Sequence, residues 1–265
     1  MNIRVWLLLA VAMMSEAHGQ EDRAVTPLPQ AHAHNDYRHA RPLLDALDRG
    51  FCSVEADIFL VKGQLLVGHD RDELRLGRTL RKLYLDPLKQ RVKQNGGRVY
   101  PGGPTITFLI DIKTDGKNVY AVLRHVLASY ADIISGVEDG QYRQRAVQVV
   151  ISGDRPKREI AADETRHAGI DGRLADLDSK VPAHLMSLIS DRWTSHFRWR
   201  GVGEFPSGER DKLRSIVIRA HRAGRRVRFW ATPEEPMLWR ELIAAEVDHL
   251  NTDQLDSLRE FLLQR

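Results

Sequence analysis

The sequence predicts an α/β protein that folds as a single-domain (β/α)8 TIM barrel. Apolar segments of strand length alternate with segments of helical periodicity along most of the chain, a pattern that produces a parallel sheet. No Gly/Ser-rich or Pro-rich linker divides the 265 residues. A chain of this length closes most economically as one barrel. A doubly wound open sheet is the alternative, although no Gly-rich phosphate loop follows a predicted strand.

Each predicted element rests on a local signal. Pro42 near the first turn and Gly50 after the last one bound the first helix, and Pro87 is expected to kink or break the next. The segment Thr232-Pro233-Glu234-Glu235 predicts a capping box that starts a late helix. The predicted strands end before His34 and then cover residues 51–61, 65–69, 105–113, 146–152, 185–189, 226–230 and 247–250. The predicted helices cover residues 42–49, 80–94, 119–129, 159–167, 212–223, 233–246 and 253–263. The pattern weakens in the second half, which is expected to be irregular.

The N-terminus predicts a secretory signal peptide over residues 1–19. Arg4 precedes a short apolar run, and Ala17 and Gly19 supply small side chains at the −3 and −1 positions of a cleavage site. The run is too short for a comfortable membrane span, and an uncleaved N-terminal anchor is the alternative. We therefore expect residues 20–265 to form a mature domain exported to the periplasm, the cell envelope or the extracellular space.

The charge balance favours acidic or phosphorylated partners, since the net charge is +4 and the sequence pI about 9.3. The cluster Arg222, Arg225, Arg226 and Arg228 is interpreted as a solvated helix end, because no nucleic-acid motif accompanies it. No nucleic-acid partner is predicted, and the oligomeric state is left open. Cys52 is the only cysteine, so no intrachain disulfide can form, and its thiol is predicted to be buried.

Two carboxylates interrupt the apolar strand predicted over residues 51–61. Glu55 and Asp57 are two residues apart, so in a strand their side chains project from the same face. Ionised groups are costly to bury without a compensating charge. A divalent cation held by oxygen ligands is the natural compensation.

The barrel interpretation brings further polar residues to one rim, because active sites of such barrels lie at the C-terminal ends of the strands. Asp111 and Lys113 are again two residues apart, so both can face the barrel axis, the acid as a third metal ligand and the ammonium as a partner for an anion. An ordinary buried Asp111–Lys113 ion pair is the plain alternative. The residues predicted at strand ends are His34, Asn35, Glu55, Asp57, Asp111 and Lys113.

At these residues the chain resembles the phospholipase C-like phosphodiesterases, which include glycerophosphodiester phosphodiesterases, phosphatidylinositol-specific phospholipases C and sphingomyelinases D. His34-Asn35-Asp36-Tyr37 is similar to the first catalytic motif, Glu55-x-Asp57 to the metal motif, and His69-Asp70 to the second histidine motif. The segment 110–114 is most similar to the sphingomyelinase D form. HNDY, SVEAD and VGHD together are nearest to the altered-inheritance-of-mitochondria protein six-like branch.

The resemblance implies a phosphoric diester hydrolase of lipid metabolism. Glu55, Asp57 and Asp111 would hold one hard divalent cation, Mg²⁺ or Ca²⁺, with Asn35 as a neutral oxygen ligand. His34 and His69 would share the roles of general base and general acid, and Lys113 would contact the substrate phosphate. The substrate would be a small phosphodiester or a phospholipid, the latter with contact to a membrane surface. The sequence does not identify the head group. It also leaves open whether the product is a hydrolysed monoester or a cyclic phosphate.

Two further interpretations compete with this one. His32 lies two residues before His34, and His32-Ala33-His34 also opens histidine-metal barrels such as the amidohydrolases and the polymerase-and-histidinol-phosphatase-like phosphoesterases. His249 is the late histidine such a site would use. The other interpretation is an exported lipid- or phosphate-binding module without turnover, against which the retention of His34 and His69 argues. Between His32 and His34, we prefer His34 as the catalytic residue because Asn35 and Tyr37 complete the motif around it.

Overall fold

Eight parallel strands close into a barrel in the computed structural model, which describes residues 25–265. The predicted signal peptide lies outside the described residues. The strands are, in chain order, β1 (Leu28–Ala33), β2 (Phe51–Val61), β3 (Gln64–Val67), β4 (Ile106–Ile112), β5 (Gly136–Glu138), β6 (Gln141–Arg143), β7 (Val147–Gly153), β8 (Gly169–Gly172), β9 (Leu188–Arg192), β10 (Arg226–Trp230) and β11 (His249–Thr252).

The barrel closes because β1 pairs in parallel with both the second and the last strand of the ring. Ala33 lies opposite Thr252 on β11 and opposite Val54 on β2. Around the ring the order is β1, β2, β4, β7, β8, β9, β10 and β11, while β3 extends β2 as an antiparallel partner and β5 with β6 forms a separate two-stranded ribbon. The predicted (β/α)8 barrel is confirmed, and the open sheet is excluded.

Helices connect the strands. They are α1 (Leu44–Leu47), α2 (Asp86–Gln94), α3 (Gly116–Ala128), α4 (Lys157–Ala162), α5 (Trp193–His196), α6 (Ser207–Arg222), α7 (Pro236–Ala244) and α8 (Leu255–Leu263), with a π-helical turn over Arg81–Leu85 before α2. Among residues 25–265, no helix is long and apolar enough to cross a membrane.

The core surrounds the barrel strands on both sides. The first nine residues of β2, 51–59, are all buried, as expected for a strand covered on both faces. Outside the barrel wall, Trp193, Phe197 and Phe229 pack with ring centroids 4.1–5.5 Å apart. Burying each such ring contributes about 1.5–3 kcal/mol to the free energy of unfolding. The buried strands therefore supply a rigid frame for the loops at their C-terminal ends.

The structure differs from the sequence prediction at two helix signals, the capping box at residues 232–235 and Pro87. The capping box is wrong: α7 begins at Pro236, and Glu234 instead accepts hydrogen bonds from the Thr252 hydroxyl at 2.7 Å and the Asp253 amide at 2.6 Å. Pro87 occupies the first turn of α2, where its missing N–H is tolerated. The irregularity predicted at Pro87 is the π-helical turn that directly precedes α2.

The second half contains a strand that the sequence pattern did not predict. β8 has glycines at both ends, so it carries no alternating apolar signal. The helix predicted over residues 159–167 ends at Ala162, and His167 lies buried against Glu138 rather than on a helix surface.

The interpretation of the arginine cluster as a solvated helix end is wrong for most of its members. Arg225 and Arg228 are buried, and only Arg222 is exposed at the end of α6. Arg225 donates hydrogen bonds to the main-chain carbonyls of the loop before β9. Arg226 donates to side chains of β4 and β7 inside the barrel. Arg226 and Arg228 are therefore structural cations of the barrel interior, whereas Arg225 holds the loop before β9.

Candidate metal and active site

All seven predicted site residues line one cavity of about 200 Å³ at the C-terminal ends of the strands. They come from the first three strands of the ring and the loops that follow them: His34, Asn35, Glu55, Asp57, His69, Asp111 and Lys113. A second wall, which begins with Ser152 beside Asp111, is built by residues that sequence reasoning did not assign to the site: Ser152, Arg173, Ser190, Arg228 and Trp230.

Three carboxylates converge at the floor of the cavity. One oxygen each of Glu55, Asp57 and Asp111 lies within 4.8 Å of the others. Glu55 and Asp57 share a face of β2, and Asp57 is the ladder partner of Asp111 on β4. Asp57 Oδ1 is buried without a hydrogen-bond partner among the described residues. Such an oxygen is satisfied by a cation, so this donor set fits a hard divalent ion.

The pKa values reflect the crowding of these acids. Burial and the neighbouring charges of Asp57 and Glu55 raise the pKa of Asp111 to about 7. Burial and Glu55 also raise the pKa of Asp57. For Glu55, burial alone would raise the pKa, but Arg228 at 2.8 Å and the hydrogen bond with His32 outweigh it and lower the pKa. The floor thus holds excess negative charge that a cation would offset.

Lys113 lies above the acids. Its ammonium donates a hydrogen bond to Asp57 Oδ2 at 3.1 Å and lies 3.8 Å from Asp111 Oδ1. Burial opposes its charge, but these two carboxylates raise the pKa of Lys113 overall. Lys113 is therefore a fixed cation that faces the cavity.

Asn35 and Tyr37 connect the first loop to the three carboxylates. Asn35 adopts a left-handed conformation with φ of 47°, which Asn tolerates better than most residues. The Tyr37 hydroxyl lies 2.6 Å from Asn35 Oδ1 and 2.9 Å from Asp57 Oδ2. Tyr37 is thus placed to hold the orientation of both oxygen groups.

His34 is oriented by an acid from the far end of the chain. Its Nδ1 lies 2.8 Å from Asp253 Oδ1, and that hydrogen bond keeps the pKa of Asp253 low despite burial. An ionised carboxylate accepts only, so Nδ1 carries the proton and Nε2 is left without one. Burial would lower the pKa of His34, but the hydrogen bond to Asp253 and the charge of Glu55 raise it overall.

His69 is arranged in the same way by its sequence neighbour. Its Nδ1 donates to Asp70 Oδ2 at 2.8 Å, and this hydrogen bond lowers the pKa of Asp70. Nε2 of His69 is again the nitrogen left for proton transfer. The two histidines thus present the same ring atom for chemistry, each with a carboxylate behind it.

His32 is buried beneath the site and does not line the cavity. Its Nδ1 lies 2.7 Å from Ser53 Oγ and its Nε2 3.0 Å from Glu55 Oε2, so both nitrogens are engaged. Burial and Arg228 lower its pKa to about 3. His249 begins β11, at the opposite end of the strand from the site. Within the described chain, the group of residues able to hold a metal ion contains carboxylates alone, which argues against the histidine-metal barrel.

A buried acid supports the second wall. Asp171 is fully buried on β8, and its Oδ2 accepts hydrogen bonds from Ser152 at 2.7 Å, Ser190 at 2.6 Å and Arg173 at 2.6 Å. The alternation of Arg226, Arg228 and Trp230 along β10 could have indicated inward-facing residues. No sequence signal marks Arg173.

Two family models and several curated relatives match this chain. Residues 20–170 match the AIM6-like phosphodiesterase domain, and residues 226–256 match the glycerophosphoryl diester phosphodiesterase family. Altered inheritance of mitochondria protein 6 from Eremothecium gossypii is 31% identical over 90% of this chain and 71% of its own length. The homolog from Arthroderma benhamiae is 28% identical, over 90% of this chain and 85% of its own.

Solved structures share the fold at low sequence identity. A glycerophosphodiester phosphodiesterase from Parabacteroides distasonis superposes with a TM-score of 0.53 at 14% identity, covering 91% of this chain and 99% of its own. A calcium-dependent phosphoinositol-specific phospholipase C from a Pseudomonas species gives the same TM-score and identity over 88% and 93%. These likenesses support the barrel fold.

Proposed function

This chain belongs to the AIM6-like phosphodiesterase family, and on that premise we propose that it is a metal-dependent phosphoric diester hydrolase. Its substrate is a glycerophosphodiester or the head-group phosphodiester of a phospholipid. The observation that carries the proposal is the convergence of three carboxylates, an ammonium and two carboxylate-backed histidines in one cavity.

Glu55, Asp57 and Asp111, with the Asn35 side-chain oxygen, would hold a hard cation, Mg²⁺ or Ca²⁺. When bound, that cation supplies positive charge to the phosphate oxygens, whose negative charge otherwise repels a nucleophile. Lys113 adds a second positive charge from the protein itself and binds a non-bridging oxygen of the phosphate.

His34 and His69 move the protons. The general base accepts at Nε2 the proton of the attacking hydroxyl, which belongs to the substrate or to water. The general acid donates the proton at its Nε2 to the leaving oxygen as the phosphorus–oxygen bond breaks. Asp253 and Asp70 keep the ring tautomers in place through the Nδ1 hydrogen bonds. A neighbouring substrate hydroxyl as nucleophile gives a cyclic phosphate, and water gives the monoester.

The test is product release from a panel of glycerophosphodiesters and phospholipids by the purified chain, with EDTA and with Mg²⁺ or Ca²⁺ restored. We expect activity to be lost with EDTA, restored by one of the cations, and reduced at least 100-fold in His34→Ala, His69→Ala and Glu55→Gln. His125→Ala, on the exposed face of α3, is the matched control and keeps full activity. If the protein binds the cation but cleaves none of the diesters, the result would favour a binding module over an enzyme. Export and contact with a membrane surface stay predictions.

A further inference from the structure

Arg173 presents a guanidinium to the cavity on the second wall, which begins beside Asp111. Its Nη1 donates to Asp171 Oδ2 at 2.6 Å and to the Gly172 carbonyl at 3.0 Å, whereas Nη2 has only a 3.4 Å contact with Ser152 Oγ. Asp171 is fully buried, whereas the Arg173 side chain is 25% exposed. A ligand in the cavity therefore meets the N–H groups of Arg173 and is shielded from the carboxylate that holds them.

A second cation lies beside this wall. Arg155 follows β7, and it forms no ion pair with any residue in the described part of the chain. Its Nη1 donates to the Gly153 carbonyl at 3.1 Å, and its Nε is buried without a partner. Burial and the charge of Arg173 lower the pKa of Arg155, as expected for two guanidinium groups that lie near each other. Asp171, Asp176 and Asp111 also act on Arg155, but none of them forms an ion pair with it, so of these two guanidinium groups only Arg173 is paired.

The aromatic residue of the cavity is already occupied by a cation of the protein. Trp230 lines the cavity, and the Arg192 guanidinium lies 5.5 Å from its ring centroid. Sites that bind quaternary ammonium groups present open aromatic faces, which supply the attraction. A choline group in this cavity would have to share the Trp230 ring with Arg192, and it would lie beside the positive charge of Arg173.

We propose that Arg173 determines head-group specificity by binding head groups that present hydroxyl or anionic oxygens, such as glycerol or inositol, and that the arginine-bearing wall disfavours choline and ethanolamine. This inference rests on the proposed function and narrows its substrate class. The physical basis is that oxygen acceptors satisfy the free N–H groups of Arg173, whereas an ammonium group leaves them unpaired and adds like-charge repulsion.

The experiment compares kcat/KM for four soluble diesters that share the glycerol-3-phosphate portion and differ in the head group: glycerol, inositol, choline and ethanolamine. We expect the wild type to prefer the two polyol diesters by about 100-fold, because a site built to hydrogen-bond a substrate hydroxyl strongly rejects analogues without it. Arg173→Gln lowers kcat/KM for the polyol diesters and reduces the preference to less than about 5-fold. Arg198→Gln, exposed and outside the cavity, is the matched control and retains the wild-type preference.

Arg173→Gln leaves Asp171 buried without its cation, so the double variant Arg173→Gln/Asp171→Asn removes the charge as a pair and is assayed in parallel. A wild-type preference for choline or ethanolamine, or an equal loss on all four diesters in both variants, would overturn the inference. The proposed function would survive either result, since turnover of any of the four diesters that depends on Glu55 and on the cation tests it separately. Calorimetric binding of inositol 1-phosphate and of phosphocholine decides the inference without turnover: tighter binding of phosphocholine would refute it.

Discussion

Arg228 Nη2 lies 2.8 Å from Glu55 Oε2, and both side chains are more than nine-tenths buried. Removing one partner of such a pair leaves an uncompensated buried charge. We expect Arg228→Met to lower the free energy of unfolding by about 3–5 kcal/mol, measured by denaturant titration. The double variant Arg228→Met/Glu55→Gln recovers at least half of that loss, because no buried charge is then left unpaired.

The partly exposed pair of Arg210 and Glu241, 2.8 Å apart, provides the control for this prediction. Solvent screens such a pair, so Arg210→Met should cost no more than about 1 kcal/mol. If both variants lose the same free energy of unfolding, the buried pair contributes no more to stability than the partly exposed one.

Cation binding should be visible in thermal unfolding. At a concentration 100-fold above its Kd, Mg²⁺ or Ca²⁺ stabilises the folded state by about 2.7 kcal/mol, which raises Tm by roughly 5–10 °C in a chain of this size. Asp111→Asn should lose this shift and be more stable than the wild type without cation, since one repelling carboxylate is gone. Asp132→Asn, on an exposed pair with Lys89, keeps the shift. A shift that persists in Asp111→Asn would place the cation elsewhere.

Tyr37 should act on cation affinity through the groups that it orients. Tyr37→Phe removes the hydroxyl that contacts Asn35 Oδ1 and Asp57 Oδ2, and we expect cation affinity to fall about 10-fold by calorimetry. Tyr100→Phe is the matched control, because the Tyr100 hydroxyl also contacts two buried groups, the carbonyls of Leu47 and Phe51, away from the site. That variant should lose stability and keep its cation affinity.

The pH dependence of stability should depend on His249. Burial, together with the charge of Arg226, lowers its pKa well below 6.5, so the folded state keeps this ring neutral while the unfolded state takes up a proton. Stability is then present above pH 6.5 and is lost as pH falls below it. At pH 5.5 the loss from this residue is about 1.4 kcal/mol relative to pH 7.5.

The comparison is with His249→Gln, whose side-chain oxygen can still accept from Arg226. Denaturant titrations of both proteins at pH 5.5 and 7.5 should differ in the stability change by about 1.4 kcal/mol, with the wild type losing more. If the free energy of unfolding changes equally with pH in the two proteins, the His249 ring takes up a proton in the folded state as well.

The metal half of the site was predictable because its residues follow local rules. Glu55 and Asp57 lie two apart in a strand that is otherwise apolar, and Asp111 and Lys113 repeat this spacing on a neighbouring strand of the ring. Alternation alone places all four side chains on the barrel axis. The predicted cavity lining was therefore confirmed for these residues, whereas their chemical roles stay predictions.

The other half depends on contacts that leave no local pattern. Arg173 follows a four-residue strand with glycines at both ends, which has no periodicity to detect. Arg228 was taken for a surface residue because it stands in a cluster of arginines, a composition typical of exposed helix ends. The Asp253 partner of His34 is 219 residues away in sequence. Such pairings form when the barrel closes. The strand signals in the sequence predict the closed barrel but not the individual side-chain contacts that closure creates.

Barrel closure also sets the order in which the site can be assembled during synthesis. β1 meets β2 early, but its other neighbour, β11, is the last strand of the ring to leave the ribosome, and Asp253 follows directly after it. Until then β1 and β10 each have an unpaired edge, and the ring of His34 has no carboxylate to fix its tautomer. A nascent chain that stops before residue 253 can carry Glu55, Asp57 and Asp111 and still lack an oriented His34, so the proposed site is complete only after the last strand of the ring has been made.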